Sequence, residues 1–222
     1  MVFFHKYFIL KKRFENELEK YLTCTASIFL ALKVCNQLIP LDELINFFLK
    51  QYNRLSSGAL PIDPQTLFEV GEKLCLIEFE ILSATGFDLN VDLPYKYVNS
   101  MRNYYFEYLK EKRYLYITTS FINDSFMLPL CLYYDPLLVA LASLYLTSKY
   151  FKVALPNTSQ GVKWYHLLDK EVDLASVTAL SKQIEKIYNF GIDKESRKKD
   201  KIRTESVGFD PLGILNEKKY SI

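Results

Sequence analysis

Apolar residues recur along this chain at intervals of three and four positions, the spacing that lines one face of an α-helix. One such stripe follows Pro40 and consists of Leu41, Leu44, Ile45, Phe48 and Leu49. A second follows Asp63 and Pro64, which form a typical N-cap and first-turn pair for a long helix. No segment alternates convincingly with a period of two, so the pattern predicts an all-α fold.

The same spacing predicts the helices in chain order. They cover about residues 1–14, 17–35, 40–55, 64–86, 95–110, 113–126, 136–150, 162–168 and 173–190. A Ser-, Gly- and Pro-rich loop covers 56–64, and a short extended connector at 90–94 is the expected domain boundary.

One predicted helix occurs twice. Residues 26–40 (ASIFLALKVCNQLIP) return 116 positions later as residues 142–156 (ASLYLTSKYFKVALP). The identical columns are Ala26/Ala142, Ser27/Ser143, Leu30/Leu146, Lys33/Lys149 and Pro40/Pro156. Because this period is too long for a solenoid, it predicts a duplicated domain with each copy built around one central helix.

The composition narrows the class of protein. Half of the 222 residues are hydrophobic and the formal net charge is +2, which favours packed helices and does not by itself indicate nucleic acid or membrane. The four cysteines form no CxxC pair and are expected to be reduced core residues. The two histidines have no second ligand at metal spacing, so no metal or cofactor is expected. No apolar run is long enough to span a membrane, and the first residues have the wrong charge order for a signal peptide.

Two charged residues lie on apolar stripes. Lys33 follows Ala26 and Leu30 on the repeated helix, and Glu78 lies between Leu74 and Ile81 on the long helix. A buried charge is costly unless it is paired, and Lys33 and Glu78 could supply that pairing for one another. They could form a private ion pair, the lysine could extend to water, or the pair could lie in a groove that a partner's backbone completes.

The residues around these charges resemble the cyclin family. FLALKV (29–34) is similar to the helix motif of the first cyclin box, and CLIEFEILSATGFDLNVDLPYKYV (75–98) to its last helix and the following linker. SFINDS (120–125) with LCLYYDPLLVALASLYL (130–146) resembles the second box of the transcription-type cyclins of the K, T and L kinds. The chain departs from the family pattern at Cys35 and Asn36, where two glutamates usually follow the lysine.

The resemblance implies two tandem cyclin boxes, each a bundle of about five helices around a central helix. The expected domains are 1–92, 93–190 and a basic tail at 191–222. It implies a regulatory protein without enzymatic activity that binds and activates a cyclin-dependent serine/threonine kinase in a heterodimer. Lys33 and Glu78 would bond to kinase backbone, and the apolar pocket for the kinase would be formed by Leu82, Phe87 and Leu89.

Further expectations follow from the family and the offset. The kinase would be a transcription-associated one acting on RNA polymerase II, and the protein would be nuclear, with the cytoplasm as a further location. The 116-residue offset maps the helix at 95–110 to positions before Met1, so the first box is expected to lack its opening helix. The run KESRKKDKIR (194–203) could be a localisation or RNA-contacting patch, or simply a solvated tail.

Other classes of function remain open at this point. No nucleophile–base arrangement, phosphate loop or ligand cluster indicates an enzyme, and no small-molecule substrate is expected. The alternative is a TFIIB-like or adaptor protein that uses the same fold to bind protein or nucleic acid without activating a kinase. Such factors should show a strongly basic surface, which the near-neutral charge does not favour.

Overall fold

The described residues of the computed structural model, 1–11, 13–56, 58–102, 112–158 and 160–188, contain eight α-helices and no strand, which confirms the predicted all-α fold. The helices are α1 (Val2–Lys11), α2 (Glu17–Val34), α3 (Leu41–Leu55), α4 (Pro64–Ala84), α5 (Tyr95–Arg102), α6 (Lys112–Ser125), α7 (Pro136–Phe151) and α8 (Leu174–Ile187). Short 3-10 helices lie at Pro129–Leu132 and Trp164–His166. None of these helices combines the length and apolarity that a membrane crossing requires.

The first compact unit comprises Met1–Pro94 together with Phe126–Pro136. In it, α4 contacts α1, α2 and α3, and α1 also contacts the 3-10 helix Pro129–Leu132. Its core includes Ala26 and Leu30 from α2, Leu49 from α3, and Leu74 and Ile81 from α4. A buried histidine, His5, is hydrogen-bonded through Nε2 to the Phe126 carbonyl oxygen at 2.9 Å.

The second unit comprises the described residues within 95–125 and 137–188. Its core joins side chains from all four of its described helices, among them Met101, Tyr114, Leu144 and Val177. Buried residues lie on nearly all sides of α7, as the sequence predicts for a central helix. A hydrogen bond of 3.0 Å between the hydroxyls of Thr118 and Thr147 links α6 to α7 inside this core.

Three helices begin at capping side chains, which explains where these elements start. The carboxylate of Asp63 accepts a hydrogen bond from the Thr66 amide at 2.8 Å, so the predicted N-cap is confirmed. Asn16 caps α2 and Asp173 caps α8 in the same way. The caps at Asn16 and Asp63 fix where α2 and α4 begin, and these helices carry Lys33 and Glu78.

The repeat is visible in how the two central helices are buried. Ala26 and Ala142, Ser27 and Ser143, and Leu30 and Leu146 are all buried. Small residues at the first two columns let neighbouring helices approach closely. The two helices differ in how much of their surface is buried, however, because Ile28, Lys33 and Val34 in the second half of α2 are exposed.

Several expectations need correction. Cys35 and Cys75 are exposed rather than core residues, while Cys24 and Cys131 are half-buried, and all four are free thiols. The expected helix at 162–168 is only the three-residue 3-10 helix, and Pro129–Leu132 was not predicted. The predictions for residues 103–110, 189–190 and the basic run at 194–203 lie outside the described residues.

Candidate functional site

The charged pair predicted from the sequence is formed in the first unit. Lys33 Nζ on α2 donates to both carboxylate oxygens of Glu78 on α4, at 2.7 Å and 2.9 Å. The Glu78 side chain is 10% exposed, whereas the Lys33 side chain is 41% exposed. The Lys33 ammonium also lies 4.0 Å from the centre of the Phe29 ring, one turn earlier on α2.

The packing of α4 explains why the pair is needed. Glu78 lies between Leu74 and Ile81, two of the most buried residues of the core. A carboxylate held there without a partner would lose hydration without compensation, at a cost of several kcal/mol. Lys33 supplies that compensation from the exposed last turn of α2, so the pair is buried on one side only.

The ammonium of Lys33 retains hydrogen-bonding capacity. A lysine has three N–H donors, and two of them are directed at the Glu78 oxygens. Within the described part of the chain, no acceptor engages the third. The exposed donor can therefore bond an acceptor supplied from outside, such as a backbone carbonyl oxygen.

The three apolar residues predicted for the pocket follow Glu78 on α4 and in the turn after it. Leu82 lies one helical turn beyond Glu78, and both Leu82 and Leu89 are half-buried against the core of the first unit. Phe87 is 60% exposed and has a left-handed backbone, with φ 60°. Its amide donates to the Leu82 carbonyl oxygen at 2.9 Å, which ends α4 and turns the ring outward.

One neighbouring residue was not singled out from the sequence. Phe79, directly after Glu78, is 60% exposed, and its ring meets that of Phe87 edge to face with centroids 6.3 Å apart. The signal in the sequence was a large aromatic residue outside the apolar stripe of α4. Phe79 and Phe87 together form an exposed aromatic patch that follows Glu78, and such a patch suits a contact with another molecule.

A second polar network fixes the position of α4. Lys11 on α1 contacts Glu19 on α2, the Tyr7 hydroxyl and Glu80 on α4, while Tyr7 also donates to Glu80. Burial acts to lower the pKa of Lys11, but the hydrogen bonds to Glu19 and Tyr7 outweigh it and the pKa lies above its usual range. The network ties three helices together on the side of α4 that bears Glu80.

The described residues contain no cluster of three or more histidines, cysteines or acids that could hold a metal ion. The assembled features are an ion pair with one exposed member and aromatic and aliphatic side chains beside it. These groups suit the binding of a protein surface with an exposed acceptor and an apolar anchor.

The sequence of the chain is similar to those of known cyclins. Residues 104–187 match the family model described as Cyclin-T2-like, C-terminal domain. The chain is 30% identical over 172 residues to Cyclin-T1-2 of Oryza sativa subsp. japonica, covering 76% of this chain and 26% of that protein. It is 29% identical over 167 residues to Cyclin-T of Drosophila melanogaster, covering 74% of this chain and 14% of that protein.

A third relative is Cyclin-K of Homo sapiens, 23% identical over 198 residues that cover 86% of this chain and 32% of that protein. The chain thus spans about a third or less of the length of these three relatives. An L1-like cyclin of Schizosaccharomyces pombe also matches, at 24% identity over 161 residues that cover 70% of this chain and 56% of that protein. Taken with the order of the motifs along the chain, these matches confirm the resemblance: the chain belongs to the cyclin family, among its transcription-type members.

Proposed function

We propose that this chain is a regulatory subunit that binds and activates a cyclin-dependent serine/threonine kinase and has no catalytic activity of its own. The contact is made by Lys33 and Glu78 with Leu82, Phe87 and Leu89. Membership of the transcription-type cyclins supports a regulatory role. The kinase partner, its action on RNA polymerase II and a nuclear location belong to the proposal and rest on that membership.

The single observation that carries the proposal is the half-exposed ion pair. A lysine that is bonded to a buried carboxylate and also reaches the surface can donate its remaining N–H to water or to an acceptor on a partner, and a charge exchange between Lys33 and Glu78 distinguishes the two. Here Glu78 is held in the core while the Lys33 ammonium reaches the surface, with one N–H that no described residue accepts. This arrangement presents a fixed, oriented donor to a partner, because Glu78 prevents the lysine from searching other conformations.

The distribution of exposed apolar residues supports the same surface. Of the exposed large hydrophobic residues in the described chain, only Tyr116 and Leu174 lie in the second unit. All the others belong to the first unit, including Ile28, Phe79 and Phe87 close in sequence to the charged pair. So uneven a distribution supports the proposal that a partner covers part of the first unit.

The apolar residues of the proposed contact can contribute to the free energy that kinase activation requires. In the family that this chain resembles, the cyclin holds one helix of the kinase, αC, in an inward position. To move that helix from mostly outward to mostly inward, the subunit must favour the inward state by roughly 5.5 kcal/mol. Burying one large apolar side chain contributes about 1.5–3 kcal/mol. Phe87 and the exposed parts of Leu82 and Leu89 can therefore supply part of it, and the Lys33 donor fixes the register. The inward helix lets the kinase form the Lys–Glu pair that positions ATP phosphates.

The test uses a charge exchange. Lys33→Glu and Glu78→Lys should each abolish kinase binding and activation, and each should lower the melting temperature. The double exchange restores an ion pair within the fold but places the ammonium on the other helix. We expect it to recover the melting temperature and not the activation.

Lys50→Glu, an exposed position on α3, is the matched control for the change of charge and should activate normally. The kinase itself would be identified by mass spectrometry of the protein that co-purifies with the chain. A double exchange that restores full activation would show that the pair is private to the fold, and would contradict the proposed contact. Binding without activation would indicate an adaptor.

A further inference from the structure

The two units carry opposite charge, which the near-neutral total conceals. Residues 1–94 and 126–136 contain nine lysines and arginines against thirteen aspartates and glutamates, a net of −4. Residues 95–125 and 137–188 contain eleven against seven, a net of +4. The second unit therefore attracts anions, whereas the first repels them.

Lys149 is the cation of the second unit that the repeat singles out. The Lys149 ammonium lies 4.7 Å from the centre of the Tyr145 ring, and the Lys33 ammonium lies 4.0 Å from the centre of the Phe29 ring. Lys149 corresponds to Lys33 in the repeat, and Tyr145 corresponds to Phe29. The first copy adds the Glu78 carboxylate to this arrangement. In the second copy, no carboxylate among the residues that the structure describes pairs with Lys149, which is exposed.

A chain of ring contacts connects Lys149 to a second exposed lysine. Tyr145 stacks on the buried Trp164, with centroids 6.1 Å apart and planes at 5°. Trp164 meets Tyr165 edge to face at 5.4 Å, and the ammonium of Lys163 lies 5.7 Å from the centre of the Tyr165 ring. The buried tryptophan thus holds two half-buried tyrosines, each with an exposed ammonium against it.

We propose that Lys149 and Lys163, together with Tyr145 and Tyr165, form a binding site for an acidic peptide segment of a partner protein. A carboxylate or phosphate of that segment takes, at Lys149, the place that Glu78 takes at Lys33. The tyrosine hydroxyls are available as additional donors to the same anions. This site lies in the second unit and is independent of the proposed kinase contact.

The chemistry of the site favours an acidic peptide over single-stranded RNA. Binding of RNA without sequence preference relies on bases stacking on aromatic rings. The rings here are already engaged, Tyr145 by Trp164 and Lys149, and Tyr165 by Trp164 and His166 at 4.4 Å. What the site presents outward is a pair of point charges, which suits carboxylates and phosphate groups.

The proposal can be tested with the full chain and fluorescein-labelled peptides in fluorescence anisotropy at low ionic strength. The probes are a peptide of alternating glutamate and glycine, the same peptide with phosphoserine in place of glutamate, and a serine version without charge. An RNA oligonucleotide with the same charge as the glutamate peptide is the competing probe. Lys149→Glu should weaken binding of the acidic peptides about tenfold or more, the loss expected when one charge-assisted contact becomes repulsive.

Lys182→Glu is the matched control, because it makes the same change of charge at an exposed position of the same unit, on α8. It should weaken binding less than about twofold. Lys149→Ala provides a milder second variant, with an expected loss of about threefold to tenfold, and Lys163→Ala should behave in the same way. Circular dichroism verifies that each variant is folded.

Equal losses from Lys149→Glu and Lys182→Glu would show a non-specific attraction to the charge of the unit and would overturn the proposal. Absence of binding by either acidic peptide would do the same. If the RNA oligonucleotide binds more tightly than the peptides and depends on Lys149, the ligand is nucleic acid and the assignment to peptide is wrong. Tight binding of acidic peptide that depends on Lys149, with kinase activation unchanged in the same variant, supports it.

Discussion

Asn36 and Lys152 end the two repeated helices with the same left-handed backbone, each with φ 56°. They lie 116 positions apart, the offset of the sequence repeat. After each of them, the next amide donates back to a carbonyl five residues earlier, at 2.8 Å in the first copy and 2.9 Å in the second. The duplication therefore includes the way in which the central helix stops.

The difference between the two residues predicts a stabilising change. Asparagine tolerates the left-handed conformation, whereas lysine carries a Cβ that costs about 1 kcal/mol there. Lys152→Gly should raise the free energy of unfolding by about 0.5–1 kcal/mol, measured by urea denaturation, and Asn36→Gly should give a smaller gain. Lys152→Ala is the control, because it removes the side chain but keeps the Cβ. A gain from alanine as large as that from glycine would contradict this explanation.

A second prediction concerns Ser27 and Ser143, which correspond in the repeat and are both buried. Neither hydroxyl has a hydrogen-bond partner among the described residues. Because a buried unsatisfied hydroxyl is costly, Ser27→Ala and Ser143→Ala should leave the free energy of unfolding unchanged or raise it by up to about 1 kcal/mol. Ser143→Leu should destabilise strongly, since neighbouring side chains fill the space. A loss of more than about 1 kcal/mol from alanine would mean that the hydroxyl is hydrogen-bonded in solution.

Much of the fold could be predicted because local patterns decide it. The stripe on α4 and the Asp63 cap determine that helix without help from the rest of the chain, and the repeat identifies α2 and α7 as central helices. The contact between Lys33 and Glu78 could be predicted because each is anomalous on an apolar stripe. Burial of one charge requires the other.

What could not be predicted depends on which surfaces the tertiary structure leaves uncovered. The spacing that placed Cys35 and Cys75 among apolar residues does not reveal that both are exposed in the folded chain. The same limit applies to Lys33, whose position on the stripe suggested more burial than its 41% exposure. The 3-10 helix at Pro129–Leu132 is too short to produce a periodic pattern.

The network around Lys11 predicts how stability depends on pH. Burial acts to raise the pKa of Glu19, but hydrogen bonds from Lys11 and the Glu15 amide outweigh it, so the pKa lies below the ordinary 4.5. A carboxylate with a lowered folded-state pKa contributes stability that is present above its unfolded pKa and is lost as pH falls through the folded one.

Glu19→Gln should therefore lower the free energy of unfolding by about 1–2 kcal/mol at neutral pH. The difference from the unchanged chain should shrink as the pH falls below about 4.5, where the unchanged chain begins to lose the same contribution. Urea denaturation at neutral and acid pH measures this. Glu17→Gln, an exposed acid in the first turn of the same helix, is the control and should show little effect. A deficit that persists undiminished in acid would contradict the pairing of Glu19 with Lys11.

The repeat also predicts which lysine matters for a kinase. Lys33→Ala should reduce kinase activation strongly, because it removes the outward donor and leaves Glu78 buried without a partner. Lys149→Ala should leave activation within about twofold, as expected for a residue outside the contact. Activation is measured as phosphate transfer by the reconstituted complex at saturating ATP. Equal losses would show that the kinase contact has been assigned to the wrong unit.

The final prediction separates binding from stability at the surface beside Glu78. Phe79 is exposed and its ring meets that of the equally exposed Phe87, so Phe79→Ser should change the free energy of unfolding by less than about 0.5 kcal/mol. If a partner covers this surface, the same change should weaken kinase binding about tenfold or more, since an aromatic side chain buried at an interface contributes about 1.5–3 kcal/mol.

Phe47→Ser on α3 removes an aromatic ring of the same exposure and should leave kinase binding unchanged. Isothermal titration calorimetry with the purified kinase compares the two. Phe79 directly follows the buried glutamate, so the structure orients its ring through the same helix register that fixes the Lys33–Glu78 pair. If Phe47→Ser weakens binding more than Phe79→Ser, the kinase contacts α3, and the surface around Glu78 is not the one that it covers.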